Sequence, residues 1–273
     1  MQARKMILAG VLLLVGAVQA GAEVVKLTTD NSIVRIDPTS QAGMYYWGIL
    51  NAPSTYQNQL VQQWFWYRVG TDAERSIDTI STPVISGLTD RTVTTTYHDS
   101  AGRFDLSITY SLAGGLSDSG TADIGEQISI HNISGTPLDF HFYQYSDFCI
   151  GGTPENDTIV LSINGFTKRI NQADQFDGSC IVEVVNTPNA NHGEAAVVPA
   201  TITKLNDSSA DILDDTKTSA FGDVAWALQW DFNIPTGSTQ NISKDKLLQI
   251  PEPGAMSLLA IGGLALIVHR RKR

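Results

Sequence analysis

Two histidines ten positions apart are the first residues whose spacing suggests chemistry. The strand-like runs Ile124–Ser134 and Leu138–Phe148 flank Gly135-Thr136-Pro137, a turn signal. Read as a hairpin with a three-residue loop, the runs place Ile130 opposite Phe142 on an apolar face. His131 then lies opposite His141 on the polar face, with Cβ atoms about 5 Å apart. Two imidazoles at that distance suit Zn²⁺ or Cu²⁺, and Asp139 lies diagonal to them. Spacing fixes no third and fourth ligand, so a polar sheet face that carries two imidazoles is the simpler reading.

The same face carries Asp139, Tyr143, Tyr145 and Asp147. Tyrosines among carboxylates on a wet sheet can stack on sugar C–H faces while the carboxylates accept hydroxyl donors. The run Trp64-Phe65-Trp66-Tyr67 offers Trp64 and Trp66 to the same end. It equally describes a strand covered on both sides, with two rings in each layer. Glycosidase chemistry needs two carboxyls about 5 to 9 Å apart, and no pair is fixed by spacing. There is no G-x-S-x-G elbow, H-E-x-x-H or phosphate loop. Asp211-Ile-Leu-Asp214-Asp215 lacks the ordered spacing of a calcium loop and reads as solvated. No catalytic residue and no cofactor is therefore expected. Cys149 and Cys180 are the only cysteines. In an exported chain they could close a loop of about 30 residues, worth about 3 kcal/mol. Two free thiols are the alternative.

These side chains need strands to hold them. Phe104, Leu106, Ile108, Tyr110 and Leu112 alternate with polar residues. So do Val224, Trp226, Leu228, Trp230, Phe232 and Ile234, with Gln229, Asp231 and Asn233 on the opposite face. Ile124, Ile128 and Ile130 share one parity, and Leu138, Phe140 and Phe142 continue it. Breakers such as Gly114-Gly115, Gly151-Gly152 and Pro235-Thr236-Gly237 separate the runs. The expectation is an all-β chain: a single antiparallel β-sandwich, jelly-roll-like, over residues 23–249. The stretch 186–221 reads as long loops around a short strand at 195–204.

The 273 residues carry 18 Lys plus Arg and 28 Asp plus Glu, a net charge of −10. Six of the basic residues lie in the two tips, so residues 23–250 hold 12 basic and 27 acidic residues, a net of −15. That balance argues against nucleic-acid binding, which needs a basic face. The N-terminus has Arg4-Lys5, an apolar run over 6–18 and the small-residue site Ala20-Gly21-Ala22. This is the order of a secretory signal peptide over 1–22, cut by signal peptidase after Ala22. The C-terminus has Pro251-Glu252-Pro253, a 14-residue apolar stretch over 255–268, and Arg270-Arg271-Lys272-Arg273. The stretch is shorter than the roughly 20 residues that span a bilayer comfortably, and the basic tip stays cytoplasmic.

Residues 250–273 resemble the PEP-CTERM sorting signal of Gram-negative bacteria in the order of motif, apolar helix and basic tip. The resemblance implies a transient membrane anchor and cleavage near Pro251 by an exosortase, a membrane-bound protease. Delivery to the cell surface or extracellular matrix would follow. It implies no activity for the domain between. The expectation from these readings is a surface or matrix protein without catalytic activity, associated with exopolysaccharide. The alternatives are a carbohydrate-binding module using the aromatic face, and a glycan-active hydrolase whose carboxylates meet only in the fold.

Overall fold

The computed structural model describes residues 24–251, apart from 53–54, 118 and 165–166. The signal segment and the sorting tail, including the helices expected there, Ala20, Ala22, Glu252, Pro253 and Arg270 to Arg273, lie outside the described residues.

In chain order the strands are β1 (Val25–Thr28), β2 (Ser32–Asp37), β3 (Gly43–Ala52), β4 (Thr55–Asn58), β5 (Leu60–Val69), β6 (Arg75–Ser76), β7 (Val84–Ser86), β8 (Thr92–His98) and β9 (Phe104–Gly114). There follow β10 (Thr121–Asn132), β11 (Leu138–Phe148), β12 (Asp157–Asn164), β13 (Thr167–Asp174), β14 (Cys180–Thr187), β15 (His192–Val197), β16 (Ser219–Gly222), β17 (Val224–Ile234) and β18 (Thr239–Gln249). One sheet runs β1-β2-β3-β5-β11-β17-β15, with β4 beside β3 and β6 beside β5. The other runs β16-β12-β13-β14-β18-β10-β9-β8-β7. Pairing is antiparallel except for a short parallel contact between β3 and β5. The all-β sandwich expectation therefore stands for the described residues. The strand expected at 195–204 does not: β15 ends at Val197, and a short helix, α1 (Ala200–Leu205), follows.

Alternation explains the core. Even-numbered residues of β11 and β17 and of β9 and β10 point between the sheets, where aromatic rings meet. Phe104 packs edge-on to Phe140 at 4.9 Å, and Phe148 stacks on Trp226 at 5.3 Å.

The hairpin expected between β10 and β11 is not formed. Strand β10 pairs with β9 and β18, while β11 pairs with β5 and β17, so neither has a free edge for the other. The turn instead crosses from one sheet to the other. Asn132 pins the crossing by donating to the carbonyls of Thr136 and Ile234 at 2.9 and 2.8 Å. Alternation requires only that even residues face the core, and a crossover meets that requirement as well as a hairpin does. His131 and His141 thus belong to different sheets. His131 meets Thr239 through Nδ1 at 2.9 Å.

The core also holds four charges. Glu126, Glu183, Lys244 and Lys246 are all fully buried. On β18, Lys244 lies opposite Glu126 of β10, and Lys246 opposite Glu183 of β14. The Glu126 carboxylate contacts Lys244 and sits 3.0 Å from Lys246; Glu183 lies 3.5 and 3.6 Å from the two ammoniums. Gln144 and Trp226 of the facing sheet donate to Glu183 at 2.7 and 2.9 Å. The cluster is neutral and alternates in sign, which is the arrangement a buried charge needs. Burial, and then the Lys246 ammonium, hold the Lys244 pKa below its ordinary value.

Candidate active site

The outer face of the first sheet gathers titratable side chains from three adjacent strands. Register places His141 of β11 opposite Asp231 of β17, and His192 of β15 opposite Gln229 of β17. One carboxylate serves both imidazoles. His141 Nδ1 is 2.5 Å from Asp231 Oδ1, and His192 Nε2 is 3.3 Å from Asp231 Oδ2. Gln229 donates to Asp231 at 2.8 Å, and Asn191 accepts from the Asp231 amide at 2.9 Å. Burial works against the Asp231 charge, but hydrogen bonds from His141 and Gln229 hold its pKa below the ordinary value.

The far side of each imidazole meets a more exposed carboxylate. His141 Nε2 lies 3.3 Å from Asp139, whose side chain is 65% exposed. His192 Nδ1 lies 2.7 Å from Asp215, whose side chain is 44% exposed. The result is a relay, Asp139–His141–Asp231–His192–Asp215, hydrogen-bonded at His141–Asp231 and at His192–Asp215 and joined by ion-pair contacts at its other two links. His141, held by Asp231 on one side and facing the exposed Asp139 on the other, has the arrangement of a general acid–base imidazole.

Next to this relay the face is closed. Segments around residues 72–80 and 200–217 lie across it over Trp64, Trp66 and Tyr143, and Tyr145 is buried edge-on to Trp66. Tyr143 donates to Glu74 at 2.9 Å, and Arg68 Nε donates to the Tyr143 hydroxyl at 2.9 Å. Glu74 in turn pairs with Arg68 at 3.0 Å and accepts from the Asp211 amide at 3.0 Å. Trp64 donates to Ser76 and Trp66 to Asn206. The expected open tyrosine–tryptophan ligand face is therefore corrected. Its rings are packing and hydrogen-bonding anchors for the covering segments. Phe65 and Tyr67 point inward, with Phe65 stacked on Phe142 at 5.3 Å, so the aromatic run has two rings in each layer. Asp147 is also buried; desolvation, then the Asp223 charge, push its carboxyl up to about 7.

Other candidates separate as well. The His131–His141 metal pair does not exist, and among the described residues no three His, Cys, Asp or Glu side chains are placed to hold a metal ion. Of the two alternatives for Cys149 and Cys180, the structure has the two free thiols and not the disulfide. Burial and the carboxylates of Asp157 and Asp147 push the Cys149 thiol up to about 11, which leaves it protonated and a poor nucleophile. Among the described residues no helix is long and apolar enough to cross a membrane.

Of the relay, the sequence marked His141 and Asp139 as candidates and placed Asp231 on the polar side of its strand. His192 was missed, because it starts a short strand inside a stretch rich in loop residues.

No family model and no curated protein matches the chain. Solved structures do. The chain is similar to a bacterial glucoamylase complexed with acarbose, with a TM-score of 0.57 and 12% identity over 89% of this chain. It spans only 35% of the glucoamylase. A galactose mutarotase-related enzyme from Lactobacillus acidophilus matches with a TM-score of 0.56 and 8% identity, over 85% of this chain and 99% of that one. A galactose mutarotase-like protein from Lactobacillus casei matches with a TM-score of 0.52 and 8% identity, over 83% and 100%. Identities this low define a shared fold only. That fold is one found in carbohydrate-active enzymes, and it overturns the expectation of a matrix protein without catalytic activity.

Proposed function

We propose that this chain is a carbohydrate-active enzyme that uses the Asp231-bridged histidines for acid–base chemistry at a sugar hemiacetal. The observation that carries the reading is one carboxylate, Asp231, lying between two imidazoles on the outer face of the sheet, all three side chains partly exposed. The shared fold with mutarotase-related structures, matched over nearly their whole length, supports the sugar class.

The chemistry follows from the geometry. A sugar that displaces Asp139 would meet His141 Nε2, and one that displaces Asp215 would meet His192 Nδ1. At either site the imidazole takes the proton of the anomeric hydroxyl and, as imidazolium, returns it to the ring oxygen of the same sugar, since the two outer nitrogens lie at opposite ends of the row. The bond from the anomeric carbon to the ring oxygen breaks, and the open aldehyde forms. Rotation and reclosure with the proton transfers reversed give the other anomer. No net proton, electron or group is consumed. Asp231 keeps both rings aligned and stabilises whichever one carries the charge.

The proposal retains export by the N-terminal signal and sorting by residues 250–273, processed by signal peptidase and an exosortase-type protease. The test is polarimetry of freshly dissolved α-D-galactose and α-D-glucose with the purified protein. Equilibration faster than the buffer rate, lost in His141→Ala and His192→Ala while the melting temperature holds, is the expected result. A wild-type protein that leaves both relaxation rates at the buffer value refutes the reading.

A further inference from the structure

The outer face of the second sheet carries a groove of about 400 Å³ that the acid–base site does not use. Its floor is aliphatic. Val182 of β14 lies opposite Leu247 of β18, and Val184 follows on the same face; Leu247 is 38% exposed. Asp123 of β10 and Asp245 of β18 line one side, and Arg169 of β13 lines the other. This volume lies within the range of about 300 to 1,000 Å³ typical of small-molecule sites, which pair an apolar surface with a few convergent polar groups.

Two features point to a ligand. Asn186 donates to Asp245 and fixes that carboxylate, whereas Asp123 accepts no hydrogen bond among the described residues. Asp123 is half-buried; desolvation, then the Asp245 charge, push its carboxyl up to about 6. A half-desolvated carboxyl without a donor is a group that a ligand hydroxyl would satisfy. Arg169 is exposed at the opposite rim, where its guanidinium is free to reach a ligand.

The charges limit the ligand. Two carboxylates repel an anionic phosphate or uronate, and the guanidinium opposite repels a cation. A neutral molecule with hydroxyls on its rim and C–H groups on its faces satisfies both sides and the aliphatic floor. We propose that this groove binds a neutral saccharide of about two hexose units, as a glycan-holding site separate from the relay on the opposite sheet. The inference does not rest on catalysis at His141 and His192.

The test is calorimetric titration of the full-length chain with maltose, lactose and cellobiose. Binding of one of them is expected, weakened at least tenfold by Arg169→Ala and by Asp123→Asn. Methyl chemical shifts of Val182, Val184 and Leu247 in the unmutated protein should move with the same titration, which needs no variant to fold. Absence of binding by all three disaccharides overturns the proposal. So does binding that is lost in His141→Ala but indifferent to the groove variants, and that outcome would leave the relay reading intact.

Discussion

Lys244→Met is the substitution whose cost the structure sets most directly. Lys244 is fully buried, contacts Glu126, lies 3.5 Å from Glu183 and sits 5.2 Å above the Phe65 ring. Methionine keeps most of the side-chain volume and the ring contact, so cavity and packing losses are small. What remains is two buried carboxylates facing one ammonium. Removing one partner of a buried ion pair costs about 3–5 kcal/mol, because the other charge stays desolvated and unpaired. Glu126→Met should cost a similar amount for the mirrored reason. The double variant should not cost the sum. It leaves Glu183 directly opposite Lys246 in register, 3.6 Å apart and neutral as a pair. Replacement of both members of such a pair by apolar groups is neutral or stabilising by about 1–4 kcal/mol. Urea unfolding of the three variants measures the cycle. With slopes of about 1–3 kcal/mol/M, each single variant should move the midpoint by a molar unit or more. The double variant should return to the wild-type midpoint or exceed it. A single variant that loses less than about 1 kcal/mol, or a double that loses the sum of both, refutes the charge-balance argument.

Stability should also respond to pH through Asp147 and Asp157. Both are buried with carboxyls pushed up to about 7, desolvation being the largest cause in each. An unfolded carboxyl releases its proton near 4. Between about pH 4 and 7 the folded state therefore holds the extra protons, and stability falls as pH rises through that window, levelling above it. Asp157→Asn should flatten this slope in urea midpoints taken at pH 5, 6 and 7; an unchanged slope counts against the assignment. Gly43→Ala should be worse than Gly70→Ala. Both have φ near +60°, but an added Cβ at Gly43 would sit 2.3 Å from the Trp64 ring, whereas at Gly70 it meets nothing within 4 Å. The Gly70 variant should lose about 1–2 kcal/mol and the Gly43 variant clearly more by thermal melting. Tyr143→Phe removes the hydroxyl that Arg68 and Glu74 share and should cost about 1–3 kcal/mol. Deleting residues 251–273 should change the apparent size and location of the protein in cell fractions. An unchanged pattern contradicts the sorting reading of the tail.

Period-two alternation made the strand content legible. Phe104 to Leu112 and Val224 to Ile234 face the core as their spacing indicates, since a strand buries every second residue whatever its neighbours are. The buried charges follow the same parity but were missed in the sequence. Glu126 shares parity with Ile124 and Ile128, Glu183 with Ile181 and Val185, and Lys244 and Lys246 with Ile242 and Leu248. Parity places four charged residues, two of each sign, at inward positions, but only the strand order brings them together.

Partner choice was not legible. Parity says which face a side chain occupies, but not which strand lies beside it. His131 and His141 each sit on the polar side of an alternating strand, yet the strands belong to opposite sheets because both edges of each are already taken. The same tertiary pairing brought His192 and Asp231 to His141 from positions 51 and 90 residues away, and it laid residues 200–217 over Tyr143, which alternation alone left open to water. The sequence by itself determined which residues turn inward, because burial follows local periodicity. The tertiary structure alone decided which outward residues meet, because strand order is set by long-range edge pairing that leaves no mark on the spacing within a strand.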